Sequence, residues 1–172
     1  MAVPDIFNTV EHTGLSHWLR ESPSVFGFYF FLTVHAIGMS LLVGASMVIN
    51  LRMLGVGSSI PLKPLKGLFT IMWIGFVVNV VTGVLLVTAY PTKEFTNYDF
   101  YGKLAFVTLA MLSMRKIYFQ VFSDASLSEG EMLAKGKALA KWSLFFWIVA
   151  VTLGRLLSET AIYETYGHRA GG

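Results

Sequence analysis

The chain has 172 residues, of which 55% are hydrophobic and 13% charged, and it contains no cysteine. So large an apolar excess excludes an ordinary water-soluble domain of this length and points to a polytopic membrane protein. The net charge of +3 resides in short connections rather than in a basic patch interleaved with exposed aromatics, which argues against a nucleic-acid partner.

The first stretch, MAVPDIFNTVEHTGLSHWLRESP, has neither a cationic start nor a long apolar run, so it does not resemble a cleavable signal. The first apolar span is expected to direct the chain to the membrane. Phe7, Val10, Leu15, Trp18 and Leu19 alternate with Glu11, His12, His17 and Arg20, the pattern of one or two short amphipathic surface helices.

Four apolar segments follow, over residues 25–50, 67–90, 101–122 and 142–163. Each has the roughly 20 residues that a helix needs to cross the hydrocarbon core. Their unbroken apolarity lacks the strict alternation of barrel strands. The expected fold is therefore all-α: a membrane four-helix bundle with short amphipathic surface helices, forming one membrane domain over 1–172.

The connections carry turn chemistry. Gly55, Gly57, Pro61 and Pro64 interrupt the first, and Pro91 stops the second span. Ser128 followed by Glu131 fits a capping box that opens a short helix, either at the interface or extending the fourth span. Arg115 and Lys116 interrupt the third span, where the helix either leaves the bilayer or buries Arg115 with a partner. The first connection holds Arg52, Lys63 and Lys66 with no acid, and the third region is also rich in lysine. The positive-inside rule places both in the cytoplasm and both termini outside. For a bacterial inner membrane, outside is the periplasm.

Polar residues at membrane depth are the candidate site. His35 is the one histidine inside an apolar span. It lies about 15 Å from the outer end, and Asn79 lies near mid-membrane. Arg155 and Glu159 stand one turn apart in the fourth span, so Glu159 is the local partner for Arg155. These four are expected to meet in the outer half of the bundle interior. His35 reads as a buried neutral imidazole, a ligand of haem iron or another metal, or a proton relay. Gly38, one turn further, admits either a helix backbone or a porphyrin. The methionines are dispersed, which does not suit copper. A zinc-protease motif, a nucleotide-binding glycine motif and a nucleophile elbow are all absent from the sequence.

The stretch HAIGMSLLVGASMVINLRMLG, with His35, Gly38, Gly44 and Asn50 through Gly55, resembles the signature of a small bacterial four-helix inner-membrane family known mainly as a domain of unknown function. The resemblance continues at Lys103 and at Gly154-Arg155 and covers most of the chain. A more distant likeness links the layout to copper-resistance membrane proteins and small cytochrome b proteins.

The preferred expectation is a b-type haem held through His35, beside Gly38, with Arg155 or Lys103 balancing propionate charge. Trp73, Phe76, Trp147 or Tyr163 would pack on the ring. The second ligand would come from His17, a methionine or another subunit, and a membrane redox partner would exchange electrons. The alternatives are a scaffold or accessory subunit, in which His35, Asn79, Arg155 and Glu159 set helix register, and a proton or small-solute transporter. Small-residue stripes at Gly75/Gly83 and Gly154/Ser158 lead us to expect a homo-oligomer.

Overall fold

The computed structural model describes residues 9–10, 12–22, 24 and 26–170, with side chains described through residue 157. The fold is an all-α bundle built on four long apolar helices. A short helix α1 (Gly14–Glu21) precedes α2 (Phe28–Met53). A 3-10 turn (Lys63–Gly67) leads into α3 (Leu68–Ala89), followed by the short α4 (Pro91–Thr96). The third span is α5 (Tyr98–Ile117), prolonged by a π-helical turn (Tyr118–Phe122). The fourth is α6 (Glu129–Ala170).

All four long helices are long and apolar enough to cross a membrane. Their outward faces are apolar too: Val77 is 57% exposed, Val84 61% and Ile148 53%. A belt of this kind is stable only against lipid, so the chain is a membrane-spanning protein.

The elements begin and end for local reasons. Thr13 accepts a hydrogen bond from the Ser16 amide and caps α1. The Ser16 hydroxyl donates to the Ala89 carbonyl at the end of α3 (3.3 Å), and Leu19 is buried, so α1 closes the end of the bundle where α3 finishes. Gly55 has a φ of +99°, and the Gly55 and Val56 amides donate back to the Arg52 and Leu51 carbonyls. This left-handed glycine stop terminates α2. Pro91 ends α3 as expected but also opens α4, where its missing N–H costs nothing. The Ser128 amide and hydroxyl both donate to the Glu131 carboxylate (2.8 and 2.6 Å), as the capping box predicts. The helix started there does not stop before the fourth span. It runs on as one element, so the third connection shrinks to the residues before Glu129.

Packing is in two hairpins. α2 lies tightly along α3, and α5 along α6. The hairpins join through α2 against α6, whereas α3 and α5 touch little. The core is a column of Leu42, Ile49, Met53, Met72, Met114, Ile117 and Trp147, all at most 2% exposed.

Candidate functional site

The α2–α3 hairpin is drawn together by glycine. A Cβ on Gly75 would stand 2.7 Å from both the Gly38 carbonyl oxygen and the Leu42 nitrogen. A Cβ on Gly38 would stand 2.8 Å from Asn79 Nδ2 and from Val78 Cγ1. The two backbones therefore cross in contact, the small-residue mode of membrane helices. One turn further out, His35 lies half-buried in the same seam, its Cε1 facing the bare side of Gly83.

His35 Nδ1 lies 2.8 Å from Thr82 Oγ1. The Thr82 hydroxyl donates its proton to the Val78 carbonyl of its own helix (2.7 Å). A Thr82 hydroxyl that donates there can accept from Nδ1–H of the neutral ring. In that tautomer Nε2 keeps its lone pair. Histidines that bind metal are held in this way, by a bond on the nitrogen that does not coordinate.

The cationic side of the site is Lys103. It lies half-buried on α5, its Cε 3.5 Å from where a Cβ on Gly154 would stand. Its charge acts on Glu94. Glu94, on α4 outside the spans, has its carboxyl raised above the usual range by burial, against the opposing pull of Lys93 and Lys103. His35 and Thr82 are in contact, and Lys103 and Glu94 lie within electrostatic reach of each other near the end of the bundle sealed by α1.

No protein-family model, curated protein or solved structure matches this chain. The geometry alone carries the functional argument.

The other candidate residues separate. Gly38 faces Val78 and Asn79, so its space is filled by α3. Asn79 donates to the Gly75 carbonyl (3.1 Å) and leaves a buried Oδ1 without a partner. Arg155 is exposed, not turned inward as expected. It shares the outer face of α6 with Val151 and Thr152, also exposed, while Ala150 is buried. Depth along a helix is readable from sequence position; direction around it depends on the neighbours. The side chains of Glu159, Ser158, Tyr163 and His168 lie outside the described residues. Gly75, Gly83 and Gly154 are occupied inside this chain, so these positions give no reason for a second copy.

Among the described residues, no group of three His, Cys, Asp or Glu side chains is placed to hold a metal ion. His17 is on α1, paired with Glu21 at 2.9 Å on the surface. Met72 and Met111 are core residues. Trp147 is buried in the core, Phe76 packs against it, and Trp73 is 44% exposed.

Two polar ties were not foreseen. Asn50 Nδ2 donates to Ser143 Oγ (3.0 Å), both residues being fully buried and on α2 and α6. Arg52, 4% exposed, donates to the carbonyls of Ser58 and Ile60 and pairs with Glu129 at the start of α6. The latter binds the first connection to the third. In the sequence Arg52 reads as loop charge. The asparagine within an apolar run at Asn50 was the available signal for the former.

Proposed function

We propose that the protein is a redox component of the bacterial inner membrane that holds a b-type haem through Nε2 of His35. The observation that supports this reading is the 2.8 Å contact of His35 Nδ1 with Thr82, whose hydroxyl also reaches the Val78 carbonyl; with Nδ1 as the donor, Nε2 would be the ligating atom. Lys103 would balance a propionate at the α1-sealed end, and Arg155 would do so only from the outer surface of α6. Bound haem would supply one-electron transfer at a potential set by its ligands and surroundings. The protein would hold the ring nitrogen, restrict water and provide the counter-charge. A second axial ligand would come from another copy in a homo-oligomer, and a membrane redox protein would be the electron partner. In this reading both termini face the periplasm.

The test is a reduced-minus-oxidised absorption spectrum of the purified protein. The wild type should show haem bands, and His35→Ala should lose them. A clean preparation that shows no haem signal, even after reconstitution, overturns the proposal.

The second reading is a scaffold or accessory subunit. It is favoured by the Gly38–Gly75 crossing and the Asn50–Ser143 tie, which use polar and small residues to set helix register. A stoichiometric protein partner with no chromophore would support it.

A further inference from the structure

The loose contact between α3 and α5 opens a cavity of about 660 Å³ at the basic end of the bundle, away from His35. Phe69 is its buried floor, with Tyr118 5.1 Å away and edge-on. The π turn shapes this wall, because the Ser123 amide reaches back to the Tyr118 carbonyl and widens the end of α5. Lys66, just before α3, and Arg115, on α5, both line it, together with the exposed aromatics Trp73 and Phe119.

We propose that this groove binds the phosphate headgroup of an anionic phospholipid between Lys66 and Arg115, with the acyl chains leaving past Trp73 and Phe119. Both cations are held at the groove by aromatic faces: Lys66 Nζ is 5.7 Å from the Tyr118 ring centre, and Arg115 Cζ is 5.7 Å from that of Phe119. Among the described residues neither makes an ion pair. The N-terminal end of α3 begins at the groove and adds the positive pole of its dipole. Basic pockets between spans are a recurrent means of holding acidic headgroups. The occupant is assigned as a lipid because the rim is apolar and opens sideways from two membrane spans: Trp73 is 44% exposed and Phe119 60%. A free anion would gain nothing from that rim.

The full chain would be purified in phosphatidylcholine nanodiscs containing a minor fraction of phosphatidylglycerol, and retained lipid read by native mass spectrometry. The wild type should retain phosphatidylglycerol in preference to phosphatidylcholine. Lys66→Gln and Arg115→Gln should each weaken that retention about fivefold. Lys116→Gln, an exposed neighbour outside the groove, should have a much smaller effect. Equal retention of both lipids by the wild type, or a Lys116→Gln effect matching Arg115→Gln, would overturn the assignment.

A second measurement avoids the charge variants. Brominated phosphatidylglycerol should quench wild-type tryptophan fluorescence more than brominated phosphatidylcholine does, and Trp73→Phe should abolish the excess. Persistence of the excess in Trp73→Phe would also overturn it. Millimolar inorganic phosphate should not displace the lipid; displacement would mark a free-anion site and sink the lipid reading.

Discussion

His35 acquires its chemical character from one hydroxyl. Thr82 can accept from Nδ1 when its own proton goes to the Val78 carbonyl. Thr82→Val keeps the shape and removes the acceptor. It should weaken haem affinity about 10–100-fold, as loss of such a supporting bond does. Haem titration into apoprotein checks this, and an unchanged affinity would detach Thr82 from the site. Gly75 makes a different demand. Its missing Cβ is filled by fixed backbone of α2, which cannot rotate aside. Gly75→Ala should destabilise the fold by about 1–3 kcal/mol. Gly44→Ala, which meets nothing within 4 Å, is the control. Denaturant unfolding in detergent compares the pair.

At the scale of elements, α6 depends on its first turn and α4 on its charge. Ser128→Ala should cost about 0.5–2 kcal/mol, because it removes the reciprocal cap with Glu131. Amide exchange should rise first in the opening turn of α6. Glu94 makes a pH prediction. Burial raises its carboxyl above the unfolded value, so the folded state binds the proton more tightly. That contribution to stability is fully present below the ordinary carboxylate range and is lost as pH rises through the raised value. Glu94→Gln should therefore flatten the fall in thermal stability between mildly acidic and neutral pH, relative to wild type. A difference curve with no slope in that window would contradict the assignment. The short α4 matters here because it carries Glu94 over the end of the bundle near Lys103.

For the whole molecule, the arrangement of two hairpins explains why chemistry collects on one side. α2 joins α3 through glycine and α6 through Asn50 and Ser143, leaving the α3–α5 side loosely closed. The Arg52–Glu129 pair fastens the basic end. If both basic connections are cytoplasmic, a reporter inserted after Gly57 and one after Thr96 should lie in opposite compartments, with the Gly57 reporter inside. The reverse orientation would leave the fold intact but place the lipid groove on the outer leaflet.

The four spans were legible in the sequence because crossing a bilayer requires only length and apolarity, both local properties. The capping box at Ser128 and the stop at Pro91 were legible for the same reason: each is chemistry between near neighbours. His35 stood out because an ionisable group in an apolar span is costly wherever the helix points. What surrounds it was not legible. Thr82 is 47 positions away and looks like an ordinary membrane threonine until α3 is rotated against α2. Arg155 is exposed where an inward position was expected, since direction around a helix follows from packing. The groove of Lys66 and Arg115 exists only because α3 and α5 diverge. The sequence by itself therefore determined which segments are long and apolar enough to cross the membrane. The tertiary structure decided which of their polar groups meet, because helix rotation and spacing are set by side chains far apart in the chain.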